Sequence, residues 1–138
     1  MTVTVACTDD IETCLDLRRA VFIDEQGVTE AEEIDGLDKD CLHLLARDGD
    51  VPVGTARVLF AGDVAKIGRV CVLKSHRGTG LGAALIRAAL AEAEGRASRA
   101  RLGAQTHAIG FYRALGFIPV GPVYDDAGIP HRDMVREL

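Results

Sequence analysis

The stretch CLHLLARDGDVPVGTARVLFAGDVAKIGRVCVL, residues 41–73, constrains the fold more than any other part of the chain. It contains three β-like runs cut by DGD and AGD. Asp-Gly and Gly-Asp pairs support tight reversals, so successive runs of this kind pair as an antiparallel meander. The period then changes. LGAALIRAALAEAEG is rich in Ala and Leu and closes on Gly95, which predicts a strong helix with a glycine stop. A meander that feeds one strong helix predicts helix packed on sheet.

The flanking segments extend this plan. TVTVAC alternates like a strand, and TDDIETCLDLRRAVF starts with cap-competent acidic residues and sets Ile11, Leu15, Leu17, Val21 and Phe22 near one helical face. DEQGVTEAEEIDGLDKD reads as a long polar loop with a short helical turn at most, its acids solvated first and attracting cationic substrates second. Beyond the strong helix, RARLGAQ predicts a strand, HAIGFYRALG a short helix, and FIPVGPVY and HRDMVREL two strands around DDAGIP. The whole is α+β, a mostly antiparallel sheet with helices on its faces. With 138 residues, 48% of them hydrophobic, and no internal shift in composition, the chain is expected to form one domain over 1–138.

Charge and cysteines narrow the function classes. The formal charge is −5 with charges interspersed, so no basic patch suits a phosphate backbone and no nucleic-acid partner is expected. The N-terminus lacks a basic region followed by an apolar run, and no stretch reaches the length of a membrane span. A cytoplasmic protein without a membrane partner is the expectation. Cys7, Cys14, Cys41 and Cys71 form no C-x-x-C pair, so they read as reduced, small apolar residues, with no metal site.

HRGTGLGAAL, residues 76–85, has glycines at alternate positions directly before the helix. Unpaired N–H groups at a helix start, together with the helix dipole, bind anions, and glycines let the anion reach the backbone. A plain glycine-rich loop is the simplest reading. A dinucleotide fingerprint matches Gly78, Gly80 and Ala83, but LKSHR separates it from the strand and Ala100 stands where an acidic residue belongs. No Walker lysine follows. The third reading is the acyl-CoA turn R-x-x-G-x-G/A, matched by Arg77, Gly80 and Gly82. There the pyrophosphate of coenzyme A would meet the N–H groups of Gly78, Thr79, Gly80, Leu81, Gly82 and Ala83, with Arg77 adding a charge-assisted contact.

Context selects the third reading. RVCVLKSHRGTGLGAALI resembles the central motif of the GNAT acetyltransferase superfamily, and AQTHAIGFYRALGF resembles its second motif, in the expected order and separation. RRAVFIDEQGV, DGLDKDCLHLLAR and DAGIPHRDM are similar to the ElaA-like branch. The resemblance implies a twisted sheet whose fourth strand splays from the fifth, leaving the main chain at Cys71 and Val72 free for the pantetheine arm and for an oxyanion. Gln105 stands where many members carry Asn, at a position that hydrogen-bonds the CoA arm. Ala127 and His76 also depart from the pattern.

Tyr112 is the leading catalytic candidate, because a phenol can protonate or hydrogen-bond the departing thiolate. The alternative is a core aromatic with its hydroxyl satisfied, as Phe111 beside it is read as packing. His131 is the candidate base, since imidazole exchanges protons near neutrality. A similar Pro-His-x-x-Met stretch in glyphosate N-acetyltransferases implies the same role, and a bond to a loop carbonyl is the competing reading. Glu25 is expected at the rim of the acceptor site as a reserve base or anchor, or else solvated. Arg69 is set to meet an acidic acceptor or a neighbouring carboxylate. His43 falls in an apolar run and reads as structural, while His107 is left unassigned.

The reaction expected is direct acetyl transfer from acetyl-CoA to an amine of a small molecule or peptide. A sensor of acyl-CoA without turnover and a nicotinamide-dependent oxidoreductase are the rivals, the first disfavoured by a hydroxyl placed for the thioester. Oligomeric state stays open, a homodimer among the options.

Overall fold

The computed structural model describes residues 3–138, so Thr2 of the first strand lies outside the described residues. In chain order the elements are β1 (Val3–Thr8), α1 (Ile11–Arg18), α2 (Glu30–Glu33), β2 (Leu42–Asp48), β3 (Val51–Ala61), β4 (Val64–Val72), α3 (Leu81–Ala93), β5 (Arg99–Gln105), α4 (Ile109–Ala114), β6 (Ile118–Asp126) and β7 (Ile129–Glu137). One seven-stranded sheet runs β1-β2-β3-β4-β5-β7-β6, with only β4 and β5 parallel. No helix among the described residues is long and apolar enough to cross a membrane.

Local chemistry explains the helices. Asp10 caps α1 by accepting from the Thr13 N–H, and α3 buries Leu81, Leu85, Ile86, Ala89, Leu90 and Ala93. That face packs on β3 and β4 into a core with Leu44, Val58, Ile67, Leu102, Phe117 and Met134. A smaller core of Cys14, Leu17, Val21, Leu45 and Cys71 lies beneath α1 on the other face of the sheet.

The buried stripe of α1 differs from the one its apolar residues suggest. Cys14, Leu17, Arg18 and Val21 are buried, whereas Ile11, Leu15 and Phe22 are only partly so. Arg18 occupies a core position because two loop carboxylates, Glu33 and Asp38, surround its guanidinium, as described below. From Arg19 to Glu25 the helix widens to a π-helix, which shifts the phase of later side chains relative to an α-helical reading. All four cysteines are free; Cys14 and Cys71 are core residues, but Cys7 is exposed.

Two irregularities open the sheet. Thr55 pairs with Cys71 and Arg57 with Gly68, so Ala56 faces both Arg69 and Val70 in a β-bulge, with Arg69 at φ 51°. β4 then pairs with β5 only at Val64–Lys66 against Arg99–Arg101. Beyond Lys66 the two strands share no ladder, which is the expected splay. At the far side, the β6–β7 hairpin turns on Ala127 and Gly128, with φ of 54° and 78°, the signature of a type I′ turn.

Candidate active site

The glycine turn presents a row of bare donors. Gly78 and Gly80 have φ of 75° and 84°, and a Cβ on either would meet nothing within 4 Å. Conformation rather than crowding therefore requires glycine there, and the space in front of the backbone is open. The helical ladder starts with Ala84 N–H donating to Gly80 O at 3.1 Å; among the described residues, the N–H groups of positions 78–83 have no protein acceptor. Below them Thr79 Oγ1 donates to His76 O at 2.6 Å, and His76 Nε2 meets Asp48 Oδ2 at 2.8 Å. His76 thus fastens the turn to the end of β2.

Arg77 stands at the mouth of this turn. Its Nε donates to Val72 O at 3.0 Å and an Nη to Glu25 Oε1 at 2.8 Å. The hydrogen bond from Arg77 holds the Glu25 carboxyl below its ordinary range. Glu25 consequently sits beside the glycine turn, paired with Arg77, and is not among the residues lining the cavity described next.

Of the two backbone positions expected to serve the pantetheine, only one faces the opening. Leu73 N–H donates to Val53 O at 2.9 Å, so Val53 and Leu73 form a hydrogen-bonded pair. By the alternation of antiparallel ladders, Val72 turns its N–H and carbonyl to the opposite edge, where Arg77 takes the carbonyl. Cys71 turns its backbone toward β3 and its thiol into the core, where burial pushes the thiol up to about 12.

A cavity of about 420 Å³ fills the splay. β4 contributes Gly68, Arg69 and Val70; β5 contributes Leu102, Gly103 and Gln105; His107 and Tyr112 come from α4 and the turn before it. Tyr124, Asp126, Ala127 and His131 close one side and Phe22, Val28, Glu32 and Glu33 the other. The only non-glycine residues at positive φ among those described, Arg69 and Ala127, both line this cavity. Backbone strain of this kind persists where the surroundings enforce it and clusters at functional sites.

Tyr112 packs edge-on to Phe111 and Phe117, with centroids 5.0 and 6.0 Å away. Its hydroxyl has no protein partner among the described residues, and burial pushes the phenol up to about 12, so it stays protonated. Phe111 is 41% exposed and lies over the first turn of α3, where a Cβ on Gly82 would stand 3.4 Å from Phe111 Cζ. Phe111 packs, as expected, but on a helix surface rather than in the core.

His131 combines both readings of its sequence. Its Nδ1 lies 2.7 Å from Ile129 O, and a carbonyl can only accept, so this partner assigns the proton to Nδ1 and a lone pair to Nε2. The same ring lines the cavity and stacks on Tyr124, with centroids 6.0 Å apart and planes at 22°. Tyr124 went unnoticed in the sequence. Its hydroxyl donates to Asp133 Oδ1 at 2.7 Å, and Arg101 holds the other Asp133 oxygen at 2.5 Å. Burial and then Asp133 push the Tyr124 phenol up to about 12. A Cβ on Gly103 would come within 2.5 Å of the Tyr124 oxygen, so the glycine in β5 is what admits this ring. A signal existed: Tyr124 and His131 are equidistant from the Ala127–Gly128 turn, which makes them cross-strand partners.

Gln105 pairs with His131 across β5 and β7 and reaches the cavity. Its Nε2 donates to Gln26 Oε1 at 3.0 Å, and its Oε1 accepts from His107 Nε2 at 2.8 Å. His43 is buried with Nε2 2.7 Å from Asp38 O, the structural role expected.

The acidic loop is exposed at Glu30, Glu32 and Asp40, as expected, but Glu33 is buried and Asp38 half-buried. Arg18, 1% exposed, holds Glu33 through Nε at 2.6 Å and Nη at 2.9 Å and reaches Asp38 at 2.6 Å. Arg57 binds both Asp35 and Asp38. Arg69 approaches Asp35 Oδ2 at 3.3 Å and Glu33 Oε2 at 3.4 Å. Three guanidiniums thus balance three carboxylates, tying the loop to α1, β3 and the bulge that forms one cavity wall. Between the two readings of Arg69, the neighbouring carboxylates are its partners.

The Acetyltransferase (GNAT) domain family matches residues 10–138. The chain is 40% identical over 131 residues to Protein ElaA of Escherichia coli, covering 90% of this chain and 85% of that protein. It is 41% identical over 123 residues to the uncharacterized N-acetyltransferase YjcF of Bacillus subtilis, covering 88% of each. Among solved structures, it matches E. coli ElaA with TM-score 0.87 and 34% identity, covering 99% of this chain and 100% of that one. An acyl-CoA N-acyltransferase from Pseudomonas aeruginosa matches with TM-score 0.87 and 32% identity, covering 98% and 99%.

Proposed function

This chain belongs to the GNAT acetyltransferase domain family, and from that premise we propose that it transfers an acetyl group from acetyl-CoA to an amine of a small molecule or peptide. The observation that carries the reading is the row of unpartnered N–H groups at 78–83 leading, along the free edge of β4 at Val72, into a cavity lined by Tyr112 and His131. The net charge of −5 and a cavity of about 420 Å³ in the splay fit an amine acceptor better than a polyanion.

The chemistry follows from these residues. His131 Nε2 takes the proton of the incoming ammonium, and the freed nitrogen attacks the thioester carbonyl carbon. As the C–N bond forms, the main-chain edge at Val72 stabilises the oxyanion. The C–S bond then breaks, the nitrogen loses its second proton, and Tyr112 donates a hydrogen bond to the leaving thiolate. A phenol near 12 stays the weaker acid beside an ordinary thiol of about 8.5. Tyr112 therefore steadies the thiolate while sulfur takes its proton from water or from the nitrogen.

Thiol release from acetyl-CoA across a panel of amines, with CoA binding measured by calorimetry, tests the reading. Turnover with at least one acceptor supports it. Binding of CoA with no thiol release on any acceptor turns the chain into a sensor, and absence of CoA binding removes the reading altogether.

A further inference from the structure

Resting on that acetyltransferase reading, we infer that the acceptor is a small amine carrying a second positive charge and no carboxylate near the reacting nitrogen. The inference comes from which charges at the cavity are already paired. Glu33 faces Arg18 and Arg69, and Arg69 in turn faces Glu33 and Asp35. Arg69 makes its hydrogen bonds through one Nη, and its Nε is shut off from solvent on the side of Glu33; its other Nη has no partner among the described residues, but the charge of the guanidinium is already met by Glu33 and Asp35. These pairs cancel. What remains facing the cavity is negative: Glu32, whose carboxylate makes only the neutral contacts of a capping box with Thr29, and Asp126, whose side chain has no partner among the described residues. Among the described residues, no arginine or lysine without a carboxylate partner lines the cavity. With His131 neutral, as a base must be, and His107 engaged with Gln105, no cation balances them.

A carboxylate beside the reacting amine would enter this field without a cation to meet it. A second ammonium would find two unpaired carboxylates. The effect acts on binding and orientation, since the ammonium that reacts must lose its own charge before attack whereas the second keeps it. The cavity of about 420 Å³ limits the acceptor to a compact molecule or the end of a longer one.

The test is a four-carbon series, diaminobutane, butylamine and aminobutanoate, assayed by thiol release from acetyl-CoA on the intact protein and on a D126N/E32Q variant. Glutamine at the Glu32 position keeps the capping box, so the charge changes while the helix start is retained, which circular dichroism checks. The expected kcat/KM for diaminobutane exceeds that for butylamine at least tenfold, aminobutanoate is slowest, and the diamine-to-monoamine ratio falls several-fold in the variant and at high salt. Aminobutanoate reacting faster than butylamine overturns the inference, as does a ratio that the variant leaves unchanged. CoA binding distinguishes the two levels of failure. If CoA binds and no diamine is turned over, the acceptor class is wrong; if CoA does not bind, the acetyltransferase reading itself has failed.

Discussion

At Tyr112 burial has one consequence that matters for catalysis: the phenol is pushed up to about 12 and keeps its proton through the working range of any amine acetylation. Tyr112 is the one residue of the FYRALGF segment that lines the cavity, and its hydroxyl has no protein partner among the described residues. Tyr112→Phe retains the ring packing against Phe111 and Phe117, and is expected to lower kcat by tenfold to a thousandfold with CoA affinity nearly unchanged, the order expected for losing a hydrogen bond made to charge that develops in the transition state. Steady-state kinetics with a calorimetric Kd decide it; undiminished kcat would make the residue packing alone. Tyr112 and His131 were legible in the sequence because each sits in a short motif whose residue types suit a proton transfer. Glu25 and Arg77 were legible only as charges. Their pairing joins positions 52 residues apart and has no local trace.

Among the elements, the turn before α3 is the one whose shape could be read directly, since alternate glycines at a helix start announce positive φ and an open backbone. Gly80→Val places a β-branched residue at φ 84° and a side chain into the space in front of the free N–H groups. It should weaken CoA binding at least tenfold by calorimetry while costing the fold about 1–2 kcal/mol. Unchanged affinity would place the anion site elsewhere. α1 shows the opposite case. An arginine on a helix reads as a solvent residue, and nothing near Arg18 announces that Glu33 and Asp38, 15 and 20 residues on, will surround it. Arg18→Leu strands those carboxylates in a buried site and is expected to destabilise the protein by about 3–5 kcal/mol in urea unfolding. Arg18→Lys should also lose stability, because one ammonium cannot replace a guanidinium that binds two carboxylates through its fork. A change within a few tenths of a kcal/mol in either variant would count against the network as the anchor of the loop.

The molecule as a whole is a sheet in two parts, joined where β4 and β5 pair over three residues and diverge beyond. In the first part the meander β2-β3-β4 was legible because its turns are local, whereas the pairing of β1 with β2 across the intervening helices was not. The place of β7 between β5 and β6 was not, because a strand inserted from the C-terminus is selected by the edge left free in three dimensions. Both parts bury ionisable groups, and these set the pH limits of the fold. A hydrogen bond from Arg57 holds the Asp35 carboxyl well below its ordinary range. At Asp38 burial opposes ionisation, but hydrogen bonds from Arg18 and Arg57 outweigh it and the carboxyl is also lowered. Carboxyls depressed in the folded state contribute stability that is present above the unfolded value of about 3.9 and is lost as pH falls through the folded one. Tyr112 and Cys71 behave in the reverse sense. Burial raises both to about 12, so the unfolded chain ionises first and their contribution, complete below the unfolded values, is lost as pH rises toward 12. For Tyr112 the shift corresponds to on the order of 3 kcal/mol. Thermal unfolding followed by circular dichroism should therefore show a broad plateau, a fall below about pH 4 and a second fall starting near pH 9 and steepening above pH 10. Tyr112→Phe removes one of the ionising groups and should flatten the alkaline fall while leaving the acid one in place. A variant whose alkaline limb matches that of the parent would mean that the phenol ionises as freely in the folded protein as in the unfolded chain. In that case Tyr112 would not be the buried, protonated group on which its role beside the thiolate depends.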